Sequence, residues 1–303
     1  MAAVEAEAGG AVLALDPARP VLEWRRPSAP APLVLQARAG ALPLRRHALT
    51  GGRIRLDDVQ LRSTALPLVL GDLHRSLAVG APVELRPAGT AGGASPGRLT
   101  PEERRRLVDV VAGAGFAVEE GGPEAQAAGS ALWRATRART LADTVGPGMR
   151  LLVCGLNPSL LSADVGVGFA RPGNRFWGAA IAAGAASKAR DPLHALRHHG
   201  TGMTDLVKRA TVAAAELDAA EYRSGIARVE RLCAWLRPQV ICFVGLTGWR
   251  AAVDRRAVAG PQPQGFGGVA AYVMPSTSGL NAHTKPAVHA EHLRAALALA
   301  GRR

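Results

Sequence analysis

Leu151-Leu152-Val153-Cys154-Gly155-Leu156-Asn157-Pro158-Ser159 is the stretch on which the fold turns. Four apolar residues run without alternation and stop at a glycine, as in a strand buried on both faces. A carboxamide, Asn157, then stands at the strand end. Phe169 follows twelve residues later, in Phe169-Ala170-Arg171-Pro172-Gly173-Asn174-Arg175-Phe176-Trp177. The intervening residues read as a loop, and a helix starts at Arg175 with Asn174 as its N-cap. In open parallel sheets ligands bind beyond the carboxyl ends of strands, so this strand end is where a site is expected.

Moving outward, strands and helices alternate over the second half of the chain. Strands are expected at 150–154, 240–244 and 269–274, and helices at 175–183, 192–198, 248–254 and 287–299. A longer helix is expected at 221–236, where Ile226, Val229, Leu232, Cys233 and Leu236 recur at helical spacing. Short buried strands alternating with helices imply a parallel sheet covered on both faces. Toward the N-terminus the pattern is weaker. Residues 1–32 are rich in Ala, Pro and Gly without a period, so a poorly ordered start is expected. Residues 33–120 read as a small α/β domain. An apolar run at 66–70 leads into a short helix at 71–77, and a strand follows at 82–87. Thr100-Pro101-Glu102-Glu103 opens a helix with a cap, a first-turn proline and early acids, and 116–119 reads as a strand. Residues 121–140 read as a linker, with a helix near 131–142.

The 303 residues suit two domains, and no stretch approaches the roughly 18 apolar residues of a membrane helix. Nothing in residues 1–20 resembles a secretory signal. Cys154, Cys233 and Cys242 form no C-x-x-C pair, which argues against zinc and iron–sulfur sites and fits buried thiols in a reducing cytoplasm. Charge divides unevenly. Residues 1–149 carry 18 Arg against 15 acids, a net of +3, whereas 150–303 carry 19 basic residues against 9 acids, a net of +10. A basic half is the footprint of phosphate-backbone binding. Arg far outnumbers Lys, 34 to 3, so genomic base composition is a competing explanation for the surplus.

Two further segments complete a pattern. Met274-Pro275-Ser276-Thr277-Ser278-Gly279-Leu280-Asn281 follows the apolar run 269–273, and Gly202-Met203-Thr204-Asp205-Leu206-Val207-Lys208-Arg209-Ala210-Thr211 lies between the two motifs. Together with Gly155-Leu156-Asn157-Pro158 and Asn174-Arg175-Phe176-Trp177, they resemble the mismatch-specific uracil/thymine-DNA glycosylases, whose segments read G-I-N-P-G, N-R-F-W, G-[IV]-T-x-L-V-x-R-P-T and M-P-S-S-S or L-P-N-P-S-G-L. The resemblance covers about 140–303. It implies a three-layer α/β/α domain with a parallel central sheet over 141–303, preceded by a smaller α/β domain. The succession of elements over 60–120 more faintly resembles the last part of a class I methyltransferase. That domain lacks the Gly-rich cofactor loop, and a small α/β domain of unrelated ancestry fits as well.

The resemblance implies an enzyme that hydrolyses the bond to uracil, thymine or a damaged cytosine opposite guanine in double-stranded DNA. Such an enzyme works as a monomer without metal or organic cofactor and leaves an abasic site. A base inside a duplex must be flipped into a pocket before its glycosidic bond can break. Asn157 would hold the attacking water. An amide takes up no proton, so such an enzyme is expected to be slow and to favour good leaving groups. Phe169 would stack on the base, with Leu156, Ser162 and Ser276 lining the pocket. Leu280 would wedge into the duplex, and Gly279 and Asn281 would meet the opposite strand. Lys208 and Arg209 are candidate phosphate contacts; solvent exposure is the other reading of Lys208. Each role has a plainer counterpart: a turn Asn before Pro for Asn157, core packing for Phe169, and a Leu280 side chain folded onto the core. His283, His289 and His292 read as solvated or phosphate-facing rather than metal-binding. Three departures bear on substrate range. Ser159 replaces a Gly, Ala282 stands where some members have Arg, and Ser276 follows the serine form of its motif. A non-catalytic DNA-binding module that recognises mismatches or abasic sites, and a transferase centred on the N-terminal half, are the competing functions.

Overall fold

The computed structural model of the protein describes residues 21–24, 33–36, 52–56, 63–87, 100–119, 133–281 and 284–301. They fall into two compact units, Met1–Ala138 and Arg139–Arg303.

The first unit holds strands β1 (Val21–Trp24), β2 (Leu33–Gln36), β3 (Gly52–Leu56), β4 (Pro82–Pro87), β5 (Phe116–Glu119) and β6 (Trp133–Arg137), with helices α1 (Leu66–Ser76) and α2 (Pro101–Gly113). The sheet order is β2-β1-β3-β4-β6-β5, parallel only between β3 and β4. The expectation for 1–32 falls outside the described residues except at β1. The apolar run at 66–70 is not a separate strand. It is the first half of α1, which buries Leu66, Val69, Leu70 and Leu73 on one face at helical spacing. The cap at Thr100 is realised as a full capping box with Glu103. The helix expected near 131–142 is instead β6. It fits antiparallel between β4 and β5, burying Ala135 and Arg137 while Arg134 is exposed. Two-sided pairing overrides the helical preference of Ala and Arg here.

The second unit contains β7 (Leu151–Gly155), α3 (Leu160–Val165), α4 (Phe176–Ala182), α5 (Pro192–His199), β8 (Thr201–Asp205), α6 (Ala219–Leu236), β9 (Val240–Val244), α7 (Leu246–Ala252), β10 (Gly260–Phe266), β11 (Val269–Met274) and α8 (Pro286–Ala300). Its sheet runs β10-β11-β9-β7-β8, parallel except for the β10–β11 hairpin. Successive strand residues face opposite ways. Leu152 and Cys154 join a core with α6 and α7 (Val229, Leu232, Cys233, Trp249), while Leu151 and Val153 join a second core with α4, α5 and α8 (Phe176, Ala195, Leu293). Two cores on either side of one sheet make the expected three layers.

The sheet is mixed rather than wholly parallel. β10 carries Pro261 and Pro263, residues tolerated on an edge where no neighbour needs the missing N–H. β8 closes the other end, and its outer side is capped by a two-bond bridge between Met203 and Thr144, each 2.8 Å. All three cysteines are free and buried. No described helix is long and apolar enough to cross a membrane.

Candidate active site

The parallel pairing of β7 with β8 sets Gly155 beside Asp205. It continues past both strand ends, with Leu206 N–H on Gly155 O and Val207 N–H on Leu156 O, each 2.9 Å, then Thr211 N–H on Pro158 O at 3.2 Å. Asn157 is held inside this seam. Its Nδ2 donates to Thr211 Oγ1 (2.8 Å), Arg209 O (3.0 Å) and Pro158 O (3.3 Å). Two of these partners are carbonyls and can only accept, so the amide nitrogen must face them. The carboxamide oxygen has no partner among the described residues and is left for a ligand. Asn157 therefore acts as a turn residue only through Pro158 O; its stronger bonds reach across to the next strand's exit.

Above the seam lies a cleft of about 330 Å³, within the range of small-molecule sites. Gly155, Leu156, Asn157, Ser162, Phe169, Asp205, Ser276 and Leu280 are among the residues lining it. Phe169 has φ 57°, a left-handed conformation that is an outlier for a bulky residue. Its ring stacks on the fully buried Phe176, with centroids 4.1 Å apart and planes 21° apart. The Trp177 indole N–H, bonded to Gly168 O at 2.9 Å, fixes the backbone just before it. Phe169 is thus both core and cleft: one face packs on Phe176, and the rest of the ring remains for a ligand. Ser162 is buried, and its Oγ accepts from Ala170 N–H and from the Ser159 hydroxyl.

Asp205 was not singled out from the sequence. It is 8% exposed and lines the cleft. A Cβ on Gly155 would lie 2.5 Å from its Oδ1 and 3.5 Å from Phe169 Cζ, so the glycine makes room for both groups. No described residue donates a hydrogen bond to its carboxylate oxygens. Burial pushes its carboxyl up to about 6; the Lys208 and Arg228 cations oppose the rise and the Asp143 anion adds to it. Behind it, buried Asp143 receives Lys208 Nζ (2.8 Å), Arg228 Nη1 (2.9 Å) and the Thr204 hydroxyl (2.8 Å). Arg228 Nη2 also donates to Asp205 O at 2.6 Å. Burial alone would raise the Asp143 carboxyl, but the Lys208 and Arg228 cations outweigh it and hold the group below the usual range.

Lys208 and Arg209, the expected phosphate contacts, both have internal acidic partners. Lys208 is tied to Asp143, and Arg209 forms two bonds to Glu221 (2.7 and 2.9 Å) and one to Glu216 O. Their acids lie far away in sequence or on a separate helix, which local context did not reveal. Leu280, by contrast, is 86% exposed at the cleft mouth and not folded onto the core. Gly279 and Asn281 share its loop but do not line the cleft. Asn281 spends its Nδ2 inside the loop, on Ser276 O (2.8 Å) and Thr284 Oγ1 (3.1 Å). Asn174 Oδ1 accepts from Phe176 N–H at 2.9 Å, but α4 starts at Phe176 and its N-cap position is Arg175 rather than the expected Asn174. Arg175 Nη1 braces the Leu280 loop through Asn281 O (2.8 Å) and Thr284 O (2.9 Å).

Ser159 adopts an ordinary extended conformation and caps α3 by accepting from Ser162 N–H, so serine fits this position without strain. Ala282 and His283 lie outside the described residues. His289 is not solvated, whereas His292 is half-buried. His289 is fully buried and donates from Nε2 to Ser276 O (3.1 Å), which fixes its tautomer, and burial lowers its basicity. His292 Nδ1 shares a 2.8 Å hydrogen bond with the Tyr272 hydroxyl. The His292 ring ties α8 to Tyr272 of β11, and His289 ties it to the loop that follows.

The family model of the uracil DNA glycosylase superfamily matches residues 142–298, which take in most of the second unit and every cleft-lining residue named above.

Proposed function

Since the chain belongs to the uracil DNA glycosylase superfamily, whose members hydrolyse the N-glycosyl bond to uracil in DNA, we propose that it is a monofunctional mismatch glycosylase. It would remove uracil, and also thymine or damaged cytosine, opposite guanine in double-stranded DNA. One observation carries this reading. The Asn157 amide nitrogen is locked by three acceptors while its oxygen stays free, in the same cleft as the Phe169 ring and below the exposed Leu280. A flipped pyrimidine stacks on Phe169, and the Asn157 oxygen holds water against the anomeric carbon. The water–carbon bond forms as the carbon–nitrogen bond breaks; the electron pair of the broken bond leaves on the base, and one proton of the water is released from the new hydroxyl.

The test is incubation with a labelled G·U duplex, then alkaline cleavage of abasic sites. Strand cuts are expected with G·U, and fewer with G·T. Mismatch binding without base release would instead support a non-catalytic binding module. Phe169→Ala is expected to slow release about 10–100-fold in single-turnover assays, the worth of one base–aromatic stack. Leu280→Ala is expected to slow release about tenfold from duplex while leaving a single-stranded uracil substrate unaffected, because only the duplex needs its gap filled.

The protein is expected to act as a cytoplasmic monomer on DNA, without metal or organic cofactor. The first unit is read as a truncated methyltransferase-like domain without cofactor binding, a reading supported by the succession β3, α1, β4, α2, β5. A titration with S-adenosylmethionine that gave heat or a thermal shift would restore the transferase reading.

A further inference from the structure

We propose that Asp205, at the end of β8, is a catalytic residue that shares the attacking water with Asn157 and accepts its proton. The inference rests on the glycosylase reading and alters its chemistry. An amide oxygen can orient water but cannot take up a proton, and the motif around Asn157 offers no carboxylate. The neighbouring strand supplies one.

Four features of Asp205 fit that task. It lines the same cleft as Asn157 and is almost wholly buried. Its strand partner is Gly155, two residues before Asn157, and the missing side chain there leaves Oδ1 space beside the Phe169 edge. Its carboxylate receives no hydrogen bond from a described residue, whereas the equally buried Asp143 receives three. Buried polar groups are ordinarily satisfied, so a carboxylate left open toward a cleft is shaped for water or substrate. Finally, its backbone is fixed by Arg228, so the group is held and not merely present.

The charged and titratable groups around it are Asp143 before β7, Cys154 on β7, Lys208 after β8 and Arg228 on α6. Together with burial they leave the carboxyl titrating near 6, ionised at neutral pH yet basic enough to receive a proton. In the step, water oxygen bonds to the anomeric carbon and one water proton passes to the Asp205 carboxylate. The glycosidic electron pair departs on the base, and Asp205 later returns the proton to solvent. Its help lies with the nucleophile, so the slow enzyme expected from Asn157 alone gives way to one that also handles poorer leaving groups such as thymine.

The experiment is single-turnover base release from G·U and G·T duplexes between pH 5 and 8, with the full-length protein and Asp205→Asn. The wild-type rate should rise about tenfold per pH unit at the acid end and level off above about pH 6. Asp205→Asn should be about 100-fold slower at pH 8, with a flat profile and duplex affinity within threefold of wild type. Folding is checked in the same samples. The elevated carboxyl means that ionising Asp205 destabilises the folded chain as pH rises from about 4 through about 6. The variant should therefore melt at or above the wild-type temperature at pH 8, a gap that closes toward pH 4. A variant within threefold of wild type, or a wild-type profile flat from pH 5 to 8, overturns the assignment while the glycosylase reading stands. Wild-type protein that releases no base from any duplex overturns both.

Discussion

Asn157→Ala is expected to lower single-turnover base release about 1000-fold while leaving the fold intact. Two losses combine. The carboxamide oxygen, the free group that would orient water, disappears, and misplacing a reacting group by about 1 Å can itself cost about 100-fold. The amide nitrogen also disappears, and with it the bonds to Thr211 Oγ1 and Arg209 O that hold the two strand exits together. Asn157→Asp separates the effects. An aspartate keeps an oxygen toward the cleft but repels the Arg209 and Pro158 carbonyls, so it should recover only part of the activity. Full activity in Asn157→Ala would remove this residue from the mechanism.

Asp143→Ala is expected to destabilise the second unit by about 3–5 kcal/mol. The carboxylate is 3% exposed and neutralises two cations, Lys208 and Arg228, whose side chains are 15% and 8% exposed. Removing it strands both charges and leaves the Thr204 hydroxyl short of an acceptor. For a unit of this size the loss corresponds to a fall in Tm of roughly 10 °C. Replacing Asp143 and Arg228 together with leucine should recover much of it, since the penalty comes from unpaired charge rather than from loss of an attraction. The pH dependence has a definite sign. The Asp143 carboxyl is held below its ordinary value, so its contribution is complete above that value and fades as pH falls through the folded one. The melting gap between wild type and Asp143→Ala should narrow under acid. A variant melting within 1 °C of wild type at pH 7 would show that the network carries no stability.

The elements that were legible in the sequence announce themselves locally. The run 151–154 reads as β7 because it is uninterrupted and apolar, α2 because Thr100 and Glu103 close a capping box, and α6 because Val229, Leu232, Cys233 and Leu236 recur on one face. The ones missed owe their form to neighbours. Thr201-Gly202-Met203-Thr204-Asp205 looks polar, yet every residue of β8 is buried, because the strand is covered by β7 on one side and Thr144 on the other. Pro261 and Pro263 hid β10, which survives only as an edge. β6 carried helix-forming residues but fills a slot between two strands. The same divide runs through the site. Asn157, Phe169 and Leu280 could be named from motif order. Asp205 could not, because its meaning comes from an absent side chain at Gly155, fifty residues earlier. A local clue did exist: an acid at the end of a strand paired to the Asn157 strand.

Arg175 reaches from the segment bearing Phe169 into the loop bearing Leu280, where its side chain grips two carbonyls and its own N–H holds Thr277 O at 2.9 Å. A Cβ on Gly279 would sit 3.1 Å from Gly173 O, so the two loops also touch through their backbones. They form a single strut. On the proposed function, the tip that would probe the helix could not retreat without dragging on the shelf that would receive the nucleotide. If Leu280 and Phe169 have the roles proposed for them, damage sensing and cargo acceptance would be one mechanical event, and a well-stacked pair that resists the tip would also keep the shelf from settling.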